Sequence, residues 1–390
     1  MTESPEPDWD PRDDAIQQDQ VAAYDAMRER CPVAYSELLG WSLFRHEDVV
    51  RVLNDHETFS SVVSSHRAVP SGMDPPEHTE YRRIVERYFQ PEFIEAFEPE
   101  CREIAAGLAQ RLAGRGEVEF TSEFAQPFAV QVQCAYLGWP PHMHEPLDHW
   151  TQKNHGATFL QDRTALAEIA REFEGYVDEL LQSRRLAGPH ASDDLTTRLM
   201  REQVFGRPLD DEEIISVLRN WTAGEVGTIS AAVGILVHFL ARRPDVQRQL
   251  RSDASQIPAA VEEILRLHGP LVANRRITTR PVEIGGRSIA AGQRLSLNWI
   301  AANRDGCVFD EPGEYRPDRD QSNNLLYGAG VHVCPGAPLA RLELRLAMEE
   351  LLKATTRIAL AAGHSPTPAR YPAGGYSELP LSIESPTNGG

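Results

Sequence analysis

The sequence predicts a large, mainly α-helical unit with minor β-sheets, and three observations carry that expectation. Long stretches have amphipathic helical spacing, strand-like runs are few and short, and no convincing linker interrupts the chain of 390 residues. Apolar residues recur at helical intervals through Pro91 to Leu112, Arg163 to Arg184, Asp211 to Leu240 and Ala337 to Leu352. The strand-like runs are Val33 to Phe44, Val282 to Trp299 with Gly285-Gly286 as a hairpin turn, and Leu379 to Ile383. Length alone suggests two or three domains. The Pro- and Gly-rich patches near Pro70 to Pro76, Trp139 to Pro141 and Ala362 to Gly375 are, however, short and flanked by ordered-looking segments. No internal repeat is present, so residues 1–384 are expected to form one domain, followed by a polar tail at 385–390.

Charge and cysteine usage exclude several classes. With 39 basic and 58 acidic side chains the formal net charge is −19, which argues against nucleic acid as a partner. No run of about 18 apolar residues occurs, and the N-terminus has neither a basic start nor an apolar core, so no membrane partner is expected. The five cysteines are odd in number and scattered, which fits a reducing cytoplasm.

The most informative local stretch is Tyr327 to Ala337, YGAGVHVCPGA. Gly328 and Gly330 permit backbone conformations closed to other residues, so the loop can fold tightly under a flat object. A helical run follows at once, which sets Cys334 at a helix N-terminus, where free N–H groups are expected to lower a thiol pKa. His332 is close by, but no further Cys or His pair at zinc spacing accompanies it. A lone thiolate ligand is therefore favoured over a zinc clamp, with a buried inert thiol as the competing reading.

The pattern aromatic-Gly-x-Gly-x-His-x-Cys-x-Gly, formed by Tyr327, Gly328, Gly330, His332, Cys334 and Gly336, resembles the haem-binding loop of the cytochromes P-450, with Tyr327 where that family usually carries Phe. The resemblance covers nearly the whole chain and implies that family's fold, with haem b between a distal helix and a proximal cysteine-loop helix. It implies Cys334 as the axial thiolate, which pushes electron density to the iron. Pro335, directly after it, has no N–H to offer the sulfur, which is expected to hold the iron's reduction potential down.

A second informative stretch is Trp221 to Leu240, where small residues interrupt a long apolar segment. Glycine costs about 1 kcal/mol against alanine inside a helix, so such glycines need a reason: close approach of a flat ligand, or tight helix packing. By resemblance this is the distal helix, with Ala223 and Gly224 against the haem and Thr228 assisting proton delivery. The family's usual acid beside the threonine is absent, since Gly227 stands there. Glu225, three residues before Thr228 and on the same helical face, is the expected substitute.

Glu263 and Arg266 match the family's Glu-x-x-Arg pair, and Arg319 stands where the resemblance puts a partner arginine, implying a buried network behind the proximal side. His78, Arg82, Arg276 and His332 match four contacts to the haem propionates, for which the planar fork of arginine is well suited. The substrate side is expected from Phe59 to Pro70, the 155–186 region, Val272, Ala273 and Asn274, and the turn at Tyr376. These residues are mostly apolar or small, which suits a small hydrophobic substrate, and the resemblance implies an aromatic one.

The wording WTAGEVGT, LRLHGPLVANRR and NLLYGAGVHVCPGAPLARLELR is most similar to self-sufficient bacterial members of the family. In those, the haem domain is fused to a phthalate-dioxygenase-reductase-like module carrying FMN and a [2Fe-2S] cluster and fed by NADPH. No such module is in this chain. The resemblance implies a monooxygenase that uses O2 for hydroxylation or O-dealkylation, with a reductase domain, fused or in trans, as partner. A peroxide-driven peroxygenase and a non-catalytic haem ligand sensor are the alternatives.

Overall fold

The computed structural model describes residues 5–64, 67–160 and 162–385. Among these, eleven helices have eight residues or more: α1 (Gln20–Arg30), α2 (His46–Leu53), α3 (Glu77–Arg87), α4 (Pro91–Leu112), α5 (Gln126–Leu137), α6 (His144–Leu160), α7 (Arg163–Ala187), α8 (Asp211–Arg242), α9 (Pro244–Ser252), α10 (Ile257–His268) and α11 (Ala337–Ala354). The four helical segments expected from periodicity correspond to α4, α7, α8 and α11, with ends within a few residues.

The longest, α8, begins at a reciprocal cap. The Asp210 carboxylate accepts from the Glu213 N–H at 2.8 Å, and the Glu213 carboxylate accepts from the Asp210 N–H at 2.9 Å. Glu213 is fully buried and tied to Arg207 at 2.7 Å, to Arg67 at 3.0 Å and to the Tyr81 hydroxyl. Burial would raise its pKa, but these donors outweigh it and hold the carboxyl down at about 2. Further along, Val226, Ile229, Val233, Leu236 and Val237 enter the main hydrophobic cluster, with α5 against one side and α11 against another. Alone among the described helices, α8 is long and apolar enough to cross a membrane, and those apolar positions are spent on this core. The second long contact lays α11 along α4.

The main sheet has five strands in the order Val33–Ser36, Gly40–Leu43, Arg294–Asn298, Ala273–Thr278, Phe59–Ser60. Val33 to Phe44, expected as one strand-like run, is two antiparallel strands, and Val282 to Trp299 is three, the first two joined through Gly285 and Gly286 at φ +55° and +75°. The strand Ala273–Thr278 is not among the expected strands, because its polar Asn-Arg-Arg start hides the alternation of a half-buried strand. Leu379 to Ile383 lies in a separate three-stranded sheet with Arg357–Leu360 and Gly116–Glu119. Of the expected polar tail, 386–390 lies outside the described residues. Ser385 is tied back, its hydroxyl accepting from the Gly114 N–H at 2.8 Å.

Candidate active site

Cys334 is held by a loop that closes on itself. Its N–H donates to the Tyr327 carbonyl at 2.8 Å, and Gly328 and Gly330 turn the chain at φ +72° and +69°. Gly330 is also packed so closely on the end of α2 that an added Cβ would overlap the Leu53 carbonyl oxygen. The backbone N–H groups of Gly336 and Ala337, at the start of α11, point at the sulfur. The expected lowering of the thiol pKa is not what results. Burial raises it, and the two amides pull it only part of the way back. The side chain is exposed to a cavity, yet the protein packed around it makes desolvation outweigh the helix terminus. A bound cation at the sulfur would reverse that balance, since metal coordination deprotonates a thiol.

The cavity above Cys334 has a volume of about 500 Å³. Gly224, Glu225, Thr228, Ile229 and Ala232 of α8 line it, as do Cys334 and Gly336 of the loop and Leu339 and Ala340 of α11. At Gly224 a Cβ would meet nothing within 4 Å, so the glycine leaves a flat, open stretch of wall and is not there for helix packing. Ala223 differs from expectation: at about 100° per residue it is rotated off this face and packs on the main core.

One end of the cavity is basic. His78, Arg82, Arg276 and His332 gather there from α3, the strand Ala273–Thr278 and the cysteine loop. The His78 and His332 rings are 4.3 Å apart, and the Nε2 atoms of both are buried without a hydrogen-bond partner. Arg82 donates to the Val333 carbonyl at 2.6 Å and pairs with Glu86 at 2.7 Å. Arg276 is only 7% exposed, donates to the Arg275 carbonyl at 2.7 Å, and has no ion-pair partner among the described residues. Burial first, then the surrounding cations, holds His332 neutral with a pKa of about 3, and His78 is shifted down by burial and Arg82. Orphaned buried donors beside an unpaired arginine, facing a flat slot with a thiol on its floor, match the two carboxylates, flat body and axial ligand of haem b.

Behind the cysteine loop a buried carboxylate organises the chain. Arg266 Nε and Nη2 donate to the two Glu263 oxygens at 2.8 Å each, and both side chains are fully buried. Glu263 also accepts from Arg319 Nε at 3.1 Å, Gln321 at 3.0 Å and the Arg316 N–H at 3.1 Å. Arg266 donates on to the carbonyls of Asn303 at 2.7 Å and Pro312 at 3.0 Å, and Asn303 Oδ1 accepts from the Leu325 N–H at 2.7 Å. One ion pair thus ties α10 to the 303–325 segment that leads into the Tyr327 loop.

The substrate-side expectations need correction. Leu271 and Asn274 line the cavity, whereas Val272 and Ala273 are buried in a separate cluster with Trp9, Tyr24 and Phe44. Alternation turns Val272 away from Leu271, but Ala273, the first residue of the strand, packs in the same cluster as Val272 and breaks the alternation. Tyr376 lines a different, smaller cavity, where its hydroxyl meets His238 Nδ1 at 2.8 Å. The neighbouring Gly375 is so close to Ile235 of α8 that the turn closes against the helix. Of the expected roof, Ser61, Val63, Ala68 and Pro70 reach the cavity, but no described residue of 155–186 does, because α7 directs Ile169, Phe173 and Val177 into the core. Glu343 went unnoticed. Its signal was an acid in the apolar stripe of α11, between Leu339, Leu342 and Leu346.

Comparison with known proteins agrees with this geometry. Residues 144–356 match the family Cytochrome P450. The chain is 36% identical over 344 residues to the erythromycin C-12 hydroxylase of Saccharopolyspora erythraea, covering 84% of each protein. It is 33% identical over 347 residues to the cyclomarin C epoxidase CymV of Salinispora arenicola, covering 85% of this chain and 88% of that one. The open structure of cytochrome P450 EryK from S. erythraea superposes with a TM-score of 0.85 at 31% identity, over 95% of this chain and 97% of that chain. The fold is thus the P450 fold, and by this likeness in sequence and structure the chain belongs to the cytochrome P450 family of haem-containing monooxygenases.

Proposed function

We propose that this chain is a haem-thiolate monooxygenase that inserts one atom of O2 into a hydrophobic substrate, by hydroxylation or O-dealkylation. One observation carries the reading: Cys334 and Thr228 line a single cavity together with the basic cluster of His78, Arg82, Arg276 and His332. Cys334 would ligate the iron, with the Gly336 and Ala337 N–H groups tempering the sulfur. His78, Arg82, Arg276 and His332 would bind the propionates, and Gly224 would leave room for the ring. When bound, haem b supplies the O2-activating chemistry. The Thr228 hydroxyl holds and passes protons into the distal part of the cavity, with Glu225 one turn before it as the nearest acid on the same helix. The cavity offers mostly apolar surface, with Leu53, Val63, Pro70, Leu271 and Leu326 among its walls, which suits a hydrophobic substrate oriented by few polar groups.

Electrons are taken to come from NADPH through FMN and a [2Fe-2S] cluster on a reductase, fused or in trans, as the similarity to self-sufficient members suggests. A cytoplasmic location is supported by the five cysteines, all unpaired.

Two measurements test the reading. The reduced-CO difference spectrum should show the thiolate band, and Cys334→Ser should lose it while turnover falls by more than about tenfold, the loss of an axial ligand being a first-order change in the iron's electronics. Equal spectra for both would remove Cys334 as ligand. In Thr228→Ala, NADPH use should uncouple from product, with peroxide rising several-fold; unchanged coupling would take Thr228 out of the proton route. A reductase of the FMN and [2Fe-2S] type should drive turnover, and turnover with a separate ferredoxin alone would reverse the assignment of the partner.

A further inference from the structure

A polar row crosses the main sheet on the face turned away from Asn274 and Arg276. Residues in register share a face, and Ser42, Ser296 and Arg275 are in register across the strands Gly40–Leu43, Arg294–Asn298 and Ala273–Thr278. Arg294 lies two residues before Ser296 on the same face, diagonal to Arg275 and within reach of a long side chain. Ser42 and Ser296 are buried, Arg294 is half-buried and Arg275 is exposed, so the row runs from the interior to the surface. Apolar ground lies beside it. Ala273, on the same face, packs in a cluster with Tyr371 and Phe159, and the Arg370 guanidinium stands 5.4 Å from the Phe159 ring centroid.

No acid answers these cations. In a chain with 58 acidic and 39 basic side chains, neither Arg275 nor Arg294 has an ion-pair partner among the described residues. Arg275 and Arg163 both act on Arg294 as repelling charges. The Ser42 hydroxyl, at the buried end of the row, has no hydrogen-bond partner among the described residues either. Like charges on neighbouring strands destabilise a sheet, and an anion between the two guanidiniums would offset that cost.

The row meets the cavity at a free edge of the sheet. Phe59–Ser60 pairs only with Ile277 and Thr278, so residues 273–276 have no neighbouring strand on that side among the described residues. Asn274 and Arg276 line the cavity from one face, and Arg275 borders it as well. We propose that Arg275 and Arg294 bind a carboxylate or phosphate at one end of an amphiphilic substrate whose hydrophobic part enters the cavity past Asn274. The planar fork of each arginine suits either anion. This inference rests on the monooxygenase reading and narrows its hydrophobic substrate to an anionic one.

Dodecanoate and its uncharged counterpart dodecan-1-ol are the probes, titrated into the haem-loaded protein by calorimetry and by the shift of the haem absorbance band. Dodecanoate should bind the wild type at least about tenfold more tightly than the alcohol, as expected for a charge-assisted bidentate contact. Added salt should shrink that advantage. In R275Q/R294Q the preference should vanish while the affinity for the alcohol stays as it was. Equal affinities in the wild type, no binding of dodecanoate, or a preference kept in the variant overturns the proposal. Should the double variant fail to fold, R275Q alone decides, since that side chain is exposed; it should lose most of the preference, and an unchanged one counts against the site. Two arms separate the sources of the anion. Inorganic phosphate that displaces dodecanoate at equal concentration, or phosphatidylglycerol vesicles that retain the wild type but not the variant, would make this a free-anion or lipid site and sever it from the substrate. The reduced-CO spectrum of the same preparations keeps the two readings apart. A thiolate band with no preference for dodecanoate sinks this inference alone, whereas a band away from the thiolate position sinks the monooxygenase reading and this inference with it.

Discussion

Arg266→Ala is expected to cost about 3–5 kcal/mol of stability, the usual loss when one partner of a buried ion pair is removed, and to yield protein largely without haem. Glu263 is fully buried and would lose its bidentate partner, keeping only Arg319, Gln321 and one backbone N–H. The Asn303 and Pro312 carbonyls would lose their donor as well. The segment that carries them leads straight to the loop holding Cys334, so loss of haem should accompany loss of stability. Arg266→Lys should recover only part, because an ammonium cannot reproduce the planar fork. A pH signature should distinguish this from a simple cavity. Burial raises the Glu263 pKa, but Arg266, Gln321 and Arg319 outweigh it, and the folded value lies below the ordinary one. The wild type therefore carries stability above the unfolded carboxyl pKa that is lost as pH falls through the folded pKa. In Arg266→Ala that gain shrinks, so the difference between the proteins should narrow on acidification. Urea unfolding at two pH values and the haem-to-protein absorbance ratio check it; full haem content with unchanged stability would remove the network from its role.

Gly330→Ala should be the most damaging change in the cysteine loop apart from the ligand itself. A non-glycine residue at φ +69° costs on the order of 1–3 kcal/mol. Here the new Cβ also overlaps the Leu53 carbonyl, with Asn54 Oδ1 at 3.3 Å, so backbone must give way. His332 and Cys334 follow two and four residues later and would move with it. Haem affinity should fall by at least about tenfold, which requires only about 1.4 kcal/mol of misplacement. Gly328→Ala is the control. Its φ of +72° is as unfavourable, but the nearest atoms to an added Cβ are 4.0 Å away. It should show the conformational cost without the collision, seen as a smaller drop in thermal stability and in haem titration. Equal effects would mean that contact with α2 does not position the loop.

Much of the fold was legible because helices announce themselves locally. The stretch read as helix from Pro91 to Leu112 has those same bounds in the structure, and Asp210 with Glu213 marks the start of α8 three residues apart. Sheets were harder. Ala273–Thr278 lies between Arg294–Asn298 and Phe59–Ser60, partners far away in the chain, and no local pattern states that pairing. The same non-locality explains the substrate side, where Asn274 rather than Val272 or Ala273 reaches the cavity.

By itself, the sequence determined the helical class, the loop chemistry that makes Cys334 a ligand candidate, and the order of Glu263, Arg266, Arg276, Arg319 and His332 along the chain. These depend on neighbours a few residues apart, where periodicity and backbone chemistry act. The tertiary structure alone decided that the His78 and His332 rings meet at a tilt with their Nε2 atoms unpartnered, that burial outweighs the helix terminus at the Cys334 thiol, and that Tyr376 turns to His238. Desolvation and charge coupling belong to the space around a group, and that space is built by segments that no local stretch of sequence contains.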